Sequence, residues 1–233
     1  MPVIATRSDM RRLRYHAGLR CSITAILFVL AQLIVGALVA AQPAVSNDRF
    51  DRLFAQSLAK RQSLASISAR FTETTTSSLL EKPLVSHGTV IAAPPARVLM
   101  TYTDPERRIV TIDGKFLVVE WPDRQERQKI DISQTQKRID QYFTQASTSQ
   151  LRSMFDITAE DDPGVRGTDR VDMRPKRKQI KEGLERLELW VERERLLLVQ
   201  MRMTFPGGDR KTIRLEDIAV NVPVPDATFR IPP

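Results

Sequence analysis

The sequence predicts an α+β domain built around a large antiparallel sheet that is curled or barrel-like. Many short segments alternate apolar and polar residues, and tight turn signals join them. Apolar residues recur at helical spacing only near the start and near the middle of the chain. Strands and helices do not alternate in the βαβ manner, so a parallel sheet is not expected. A content of 42% hydrophobic and 27% charged residues is typical of a folded protein.

The first 41 residues resemble an export signal. Five arginines precede an apolar run from Ile23 to Ala41, and small residues stand before Gln42. We expect cleavage after Ala41, which leaves residues 42–233 as one domain. The run is also long enough to cross about 30 Å of hydrocarbon, so an uncleaved membrane anchor is the alternative. In both cases the remainder of the chain is expected to be exported. The single cysteine, Cys21, precedes the run, so the mature chain has no thiol chemistry.

Residues 48–64 are predicted to form an amphipathic helix capped by Asn47, since Phe50, Leu53 and Phe54 recur at helical spacing. From Ser66 onward, apolar residues occupy every second position, as in a β-strand. A polar stretch, residues 72–78, is expected to follow the first strand. The Asp113-Gly114 pair is the strongest hairpin signal in the chain. The predicted strands of this half are 66–72, 85–92, 97–102, 108–112, 116–121 and 125–132.

Residues 134–155 are predicted to be a loop with one or two short helices, because two apolar groups at helical spacing flank a polar gap. Residues 157–171 contain Asp161-Asp162-Pro163-Gly164 and Gly167, so we expect mostly turns there. Strands are predicted at 184–191, 196–205 and 212–220, with a hairpin turn at Gly207-Gly208. Four prolines close the chain in extended form.

The mature chain offers little for catalysis. His87 is its only histidine and lies in a predicted strand, so no metal site and no serine–histidine pair is expected. Nucleotide-binding fingerprints and a serine elbow are missing from the sequence. The carboxylate pairs Asp161/Asp162 and Glu120/Asp123 are of a kind that any loop shows. We therefore predict a protein that is not an enzyme and has no cofactor. An exported hydrolase that uses carboxylates is the weakest alternative.

The net charge of +8 is unevenly placed, because half of it belongs to the first 41 residues. The remaining basic residues cluster most closely at Arg174, Lys176, Arg177, Lys178 and Lys181. We interpret this cluster as a solvated loop and expect no nucleic-acid partner. Whether it docks an acidic partner is left open by the sequence.

Several motifs of the chain resemble a known family. A glycine strand, His87-Gly88-Thr89, precedes the alternating strand of Val98, Met100 and Tyr102. An Asp113-Gly114 hairpin and Trp121-Pro122 follow. Further matching motifs are residues 67–72 and, at the C-terminal end, Asn221, Val224, Phe229 and Pro232. In this order the motifs resemble the periplasmic outer-membrane lipoprotein carrier protein (LolA) family, and the resemblance runs through nearly all of residues 47–233.

The resemblance implies an incomplete antiparallel β-barrel closed by an N-terminal helix and a short helical insert, with an apolar concave face. It implies a monomeric periplasmic carrier that takes lipoproteins from an inner-membrane transporter to an outer-membrane receptor. The cargo is then an acylated lipoprotein or a related lipid. Under this interpretation the residues expected to line the lipid cavity are Val98, Met100, Tyr102, Val118, Phe143, Met154, Phe155, Met201 and Met203.

Two positions depart from the family's pattern. Val118 stands where the family has a tryptophan, and Pro94 replaces the arginine that ties the family's lid shut. The departures put the usual opening mechanism in doubt and favour another lipid cargo, such as a glycolipid. Two alternatives stay open. The apolar residues could be an ordinary core, and a domain of this fold could be a periplasmic or membrane-anchored sensor or regulatory domain that binds lipids or lipoproteins.

Overall fold

A computed structural model describes residues 48–139 and 147–231 of the chain, apart from the side chains of residues 138 and 139. The predicted signal segment lies outside these residues. Helix α1 (Arg49–Arg61) comes first, and short helices α2 (Ser133–Ile139), α3 (Thr148–Met154) and α4 (Lys178–Lys181) follow later. The eleven strands are β1 (Ile67–Thr76), β2 (Leu84–Ala93), β3 (Arg97–Asp104), β4 (Arg108–Asp113), β5 (Phe116–Trp121), β6 (Glu126–Asp131), β7 (Phe155–Asp161), β8 (Thr168–Pro175), β9 (Arg186–Glu192), β10 (Leu198–Thr204) and β11 (Arg210–Val220).

All eleven strands form one antiparallel sheet in the order β6-β5-β4-β3-β2-β1-β11-β10-β9-β8-β7. The first strand of the domain therefore lies in the middle, where it pairs with both β2 and β11. Strands β6 and β7 form the two open edges of the sheet. Apolar residues from both halves nevertheless share one buried cluster, which requires the sheet to curl around a common interior. The predicted fold class, an incomplete antiparallel barrel with a few helices, is confirmed.

The two faces of the sheet differ in chemistry. Residues that pair across strands share a face, so Val90, Met100 and Val110 all point to the concave side, where they are buried. The opposite, convex side is more polar in the half formed by β8 to β11. There the partners Arg186, Thr204 and Arg210 lie in one row. The concave face is therefore the one that builds the hydrophobic core.

Helix α1 covers part of the concave face and confirms the helix predicted at this place. Asp48 caps it, since its side chain accepts a hydrogen bond of 2.8 Å from the backbone amide of Phe50. The predicted cap, Asn47, lies outside the described residues. Phe50 and Leu53 are the residues of α1 that are fully buried. Arg152 of α3 forms an ion pair with Asp48 at 2.9 Å, which ties the two helices together.

The prediction for residues 157–171 was wrong. Strands β7 and β8 occupy most of this segment and form a hairpin in which Ile157 pairs with Met173 and Ala159 with Val171. Strand β8 also pairs with β9, so the hairpin continues the sheet to its edge. Strand β1 likewise extends to Thr76, through a polar stretch that was not expected to be a strand. In both places pairing with distant strands determines the structure, and local turn residues do not.

No helix among the residues that the structure describes has the length and apolar character needed to span a membrane.

Candidate lipid-binding face

Most of the predicted cavity residues lie together on the concave face. Seven of them belong to the same buried cluster and are at most 3% exposed. They come from three regions of the chain: β3, the junction of α3 with β7, and β10. These residues are Val98, Met100, Tyr102, Met154, Phe155, Met201 and Met203. The structure thus brings together residues more than a hundred positions apart, although their contact with lipid stays a prediction.

Two predicted residues do not join this group. Val118 pairs with Thr111, which pairs with Leu99, so its side chain points to the convex side, opposite Met100. The period-two rule explains the misplacement, because Val118 is one residue away from the inward-facing Val119. Val118 is buried, on the side where the C-terminal 3-10 turn Asp226–Phe229 packs on β3 and β4. Phe143 lies outside the described residues.

The concave face is rich in methionine. Met173 lies on β8 next to Leu187 and is 2% exposed, and it was not among the predicted cavity residues. Met173 and Val171 are two residues apart in the sequence, and this alternation is the signal that could have identified Met173. With Met100, Met154, Met201 and Met203 it gives five buried methionines in one cluster. Methionine is unbranched and polarisable, so it adapts to irregular apolar partners.

Among the residues that the structure describes, the apolar face is closely packed. A shallow depression between Leu198, Met201 and Leu215 has no room for a water molecule. Helices α1 and α3 and the side chains of the sheet itself cover the face, so an acyl chain would enter only if some of these contacts were exchanged for contacts with lipid. Closely packed interiors of this kind are the rule in folded domains.

A charged cluster interrupts the apolar face at one end. The ammonium of Lys211 lies 2.9 Å from Glu73 Oε1, and the hydroxyl of Tyr102 donates to Glu73 Oε2 at 2.9 Å. The guanidinium of Arg108 lies 3.8 Å from the centre of the Tyr102 ring. Glu73 and Lys211 are 4% and 1% exposed. A pair of charges buried this deeply requires close mutual compensation.

The environment shifts two pKa values in this cluster. Burial alone would raise the pKa of Glu73, but the charge and hydrogen bond of Lys211, the charge of Arg108 and the hydrogen bond from Tyr102 lower it below the ordinary value. Burial and the neighbouring Glu73 carboxylate raise the pKa of Tyr102. Glu73 is therefore ionised and Tyr102 neutral near pH 7.

Comparison with known proteins identifies the family. Residues 62–232 match the sequence model of the family described as "Outer membrane lipoprotein carrier protein LolA". The chain belongs to the LolA family. The search of curated proteins gave no match.

Solved structures resemble this LolA-family protein in fold. An uncharacterised conserved protein from Thermus thermophilus is 10% identical with a TM-score of 0.50, and the match covers 78% of this chain and 93% of that one. The lipoprotein LppX from Mycobacterium tuberculosis is 17% identical with a TM-score of 0.49, over 77% and 99% of the chains. The MucA/MucB complex of Pseudomonas aeruginosa matches at 14% identity and a TM-score of 0.43, over 72% and 56% of the chains. At these identities the likeness concerns the fold alone.

The convex side of the LolA-like sheet carries a second notable feature, a polar groove of about 350 Å³ over β8 to β11. Four arginines and two glutamates line it together with Thr204 and Gly208. Arg174, at one end of the groove, also belongs to the basic cluster that continues to Lys181 in α4. The groove lining consists of Arg174, Glu185, Arg186, Glu188, Arg202, Thr204, Gly208 and Arg210.

Glu188 lies beneath this groove and is only 3% exposed. Its carboxylate lies 3.3 Å from Arg186, 3.5 Å from Arg202 and 3.8 Å from Arg170. Arg186 also donates two hydrogen bonds to Asp172. Glu188 and Asp172 thus compensate part of the charge of a dense arginine array beneath the groove.

Over residues 48–139 and 147–231, the structure contains no group of three or more histidine, cysteine, aspartate or glutamate residues arranged to hold a metal ion. His87 is exposed on the convex side, and its ring lies 3.2 Å from the hydroxyl of Thr72.

Proposed function

We propose that this LolA-family protein binds the acyl chains of lipoproteins or related lipids on the concave face of its sheet and carries them between the inner and outer membranes. The observation that carries the proposal is an apolar concave face on an open sheet, covered by short helices and bounded at one end by the charged cluster of Glu73 and Lys211. Helix α1 has 13 residues but buries only Phe50 and Leu53 fully. A cover with so few apolar anchors is easily exchanged for a lipid.

The energetics of such an exchange are balanced. Burying a methylene group is worth about 0.8 kcal/mol, so a chain of some fifteen methylenes gains on the order of 10 kcal/mol. When no lipid is bound, the protein's own side chains fill the cavity. Lipid binding therefore gains only the difference in free energy between two sets of apolar contacts. This lowers the affinity, and a carrier needs low affinity because it must release its cargo. The five methionines on the face support adaptation to chains of different length.

The route of the cargo rests on the sequence. The basic and apolar leader supports export, and the family description supports a position between an inner-membrane transporter as donor and an outer-membrane receptor as acceptor. A soluble exported chain that starts at Gln42 fits a shuttle, because such a protein has to leave both membranes.

The direct test is to express the full chain, purify the exported product from the cell envelope under native conditions, and identify co-purifying lipids by mass spectrometry. We expect acylated molecules at up to one per protein, and their loss after denaturation and refolding. A matched preparation from cells without the chain gives the background. A product that carries no lipid, and that also fails to bind a fluorescent acyl probe after refolding, would overturn the proposal.

A second candidate function is a regulatory domain that is anchored to the inner membrane and contacts an acidic partner. The basic groove on the convex face favours it, since four arginines there exceed the acidic residues of the lining. The mass of the exported product separates the two functions. An exported product that retains Ile23 to Ala41 supports the anchored regulatory domain, whereas a product that begins at Gln42 supports the carrier.

A further inference from the structure

We propose that the β1–β2 hairpin ends in an apolar tip that inserts into the surface of a lipid bilayer and docks the protein there. The tip consists of Leu79, Leu80, Leu84 and Val85. The inference rests on the proposed function, because a carrier of acyl chains has to collect and deliver them at a membrane. It names the part of the protein that makes contact with that membrane.

Exposed apolar side chains are concentrated at this tip. Among the residues that the structure describes, five large hydrophobic side chains are exposed, and four of them belong to the tip. Leu79 is 68% exposed, which is the largest fraction of the five. The fifth, Leu58, lies on α1. Single exposed apolar residues are common on any protein surface, whereas a contiguous apolar cluster indicates an interaction site.

The tip projects beyond the strands on either side of the hairpin. Strand β2 begins at Leu84, but its first residue with a partner in β3 is His87, so the hairpin extends about 10 Å past the end of β3. On the other side β11 begins opposite Thr76, and the turn of the hairpin continues past this point. All residues from 78 to 85 are exposed. The tip is therefore accessible to a flat surface such as a bilayer.

Hydrogen bonds hold the tip in a defined conformation. The backbone amide of Leu80 donates to the carbonyl of Ser77 at 3.1 Å, and the amide of Leu79 donates to the Ser77 hydroxyl at 3.2 Å. Thr75 pairs with Leu84 and so fixes the start of β2. An ordered hairpin thus presents the leucines, and it loses little further conformational freedom when it binds.

The chemistry of the tip favours a bilayer over a protein groove. The charges of Glu81 and Lys82 cancel, so the attraction is apolar rather than electrostatic. A protein partner would need a pocket that matches the projecting side chains, whereas the interface of a bilayer accepts apolar side chains without such complementarity. The hydroxyl-bearing residues 74–78 lie directly behind the tip, where the hydrated head groups would be.

The tip also continues the proposed lipid-binding face. Side chains alternate along β2, so Leu84 points to the same side as Ser86 and Val90. Val90 belongs to the buried cluster of the concave face. Insertion of the tip therefore brings one end of this face to the bilayer from which acyl chains are taken.

A tryptophan at the tip tests insertion directly. The two natural tryptophans, Trp121 and Trp190, are 7% and 2% exposed, and the wild-type protein measures their contribution. We expect the emission of exported Leu79→Trp to shift to shorter wavelength and to be quenched when vesicles of brominated phosphatidylcholine are added. Leu58→Trp is the matched control, because it replaces the exposed leucine of α1, and it should not be quenched.

Replacement of the leucines separates docking from acyl binding. Leu80 and Leu58 are both 38% exposed, so Leu80→Ser and Leu58→Ser remove similar apolar surface from different places. We expect Leu80→Ser to weaken binding to phosphatidylcholine vesicles severalfold, and Leu79→Ser/Leu80→Ser about tenfold or more, since binding scales with the apolar area inserted. Leu58→Ser should bind vesicles like the wild type. Displacement of a fluorescent acyl probe in solution should be the same for all of these variants.

The form of the exported product decides how vesicle binding is measured. A product that begins at Gln42 is assayed by co-sedimentation with vesicles. A product that retains Ile23 to Ala41 is reconstituted, and the extent of quenching of Leu79→Trp is compared with and without Leu80→Ser. Melting curves establish that each variant is folded.

The outcomes keep this inference apart from the proposed function. An unquenched tryptophan at position 79 would overturn the bilayer as partner and leave a protein receptor as the occupant of the tip. Short-wavelength emission before vesicles are added would show that the chain itself covers the tip, which would also overturn the inference. Equal losses in Leu80→Ser and Leu58→Ser would contradict a role of the tip. Failure of the acyl probe to bind, with quenching at the tip intact, would overturn the proposed function alone.

Discussion

The ring of Phe71 meets that of Tyr102 edge to face, with 4.9 Å between ring centres and an angle of 75° between planes. The two residues lie on β1 and β3, and the strand between them contributes Gly88, which pairs with both. The glycine leaves the space in which the two rings meet. An aromatic contact of this geometry is worth about 0.5–1.5 kcal/mol beyond the area that it buries.

A side chain at position 88 should therefore destabilise the protein. A Cβ atom on Gly88 would lie 2.8 Å from Phe71 Cζ and would clash with the backbone oxygen of Thr101. We expect Gly88→Ala to lower the free energy of unfolding by about 1–3 kcal/mol. Denaturant titration of the purified chain measures the change.

Gly183→Ala is the control for that substitution. A Cβ atom at position 183 would meet no atom within 4 Å, so its effect should stay within about 0.5 kcal/mol of zero. Equal stability of Gly88→Ala and Gly183→Ala would contradict the close packing of the two rings across β2.

The parts of the fold that local sequence determines could be predicted. Helix α1 was found from the spacing of Phe50, Leu53 and Phe54, and the β4–β5 hairpin from Asp113-Gly114. The β7–β8 hairpin was missed because turn residues at 161–164 dominate its local pattern. Its strands exist because Met173 pairs with Leu187 in β9 as well as with Ile157. Such pairing is not local, and one sequence does not reveal it.

The candidate site, too, could be predicted only where local sequence determines it. Alternation placed Val98, Met100 and Tyr102 on one face, and the structure agrees. The charged cluster was not predicted, because Glu73 lies in a polar run and its partner Lys211 is 138 residues away in the chain. Val118 was assigned to the wrong face of the sheet, because a shift of one residue along a strand reverses the direction of the side chain.

The pair of Glu73 and Lys211 should be strongly coupled. Replacement of Lys211 by methionine leaves a buried carboxylate without its closest cation, and breaking a buried pair in this way costs about 3–5 kcal/mol. We expect Lys211→Met alone to unfold far below the wild-type temperature. The double variant Glu73→Gln/Lys211→Met should recover most of the loss. Unfolding titrations of the wild type, the two single variants and the double variant form a double-mutant cycle. Additive effects of the two substitutions would contradict the coupling.

Stability at acid pH should depend on Glu73. Its pKa in the folded state lies below the ordinary value of 4.5, so the folded protein binds fewer protons than the unfolded chain near that pH. The stabilising contribution is therefore fully present above pH 4.5 and is lost as the pH falls through the folded-state pKa. Unfolding titrations between pH 7 and pH 3 should show a shallower decline for Glu73→Gln than for the wild type. Parallel curves would exclude this role.

Glu188 should matter more than a nearby exposed glutamate. Three arginines approach its carboxylate within 3.8 Å, so Glu188→Gln leaves them with less compensation beneath the basic groove. We expect a loss of about 1–3 kcal/mol in the free energy of unfolding. Glu185→Gln is the matched control, since Glu185 lines the same groove but is exposed. Similar losses in both variants would indicate that burial of Glu188 is unimportant.

Helix α1 offers a test of whether the cover competes with lipid. Phe50 is 5% exposed and packs in the core, whereas Leu58 of the same helix is 38% exposed. Phe50→Ala should lower the stability of the empty protein by about 3–5 kcal/mol if the site does not collapse. The same change should tighten binding of an acyl probe, because a weaker cover raises the fraction of molecules that are competent to bind.

Leu58→Ala should leave both the melting temperature and the acyl affinity near those of the wild type. The opposite signs expected for Phe50→Ala distinguish a cover from an ordinary core helix, since loss of a core residue alone would weaken binding together with stability. Probe titrations below the melting temperature of each variant measure the affinity, and calorimetry of the lipid-free protein measures the stability. Weaker binding in the folded Phe50→Ala variant would mean that α1 forms part of the lipid site and does not compete with the lipid for it.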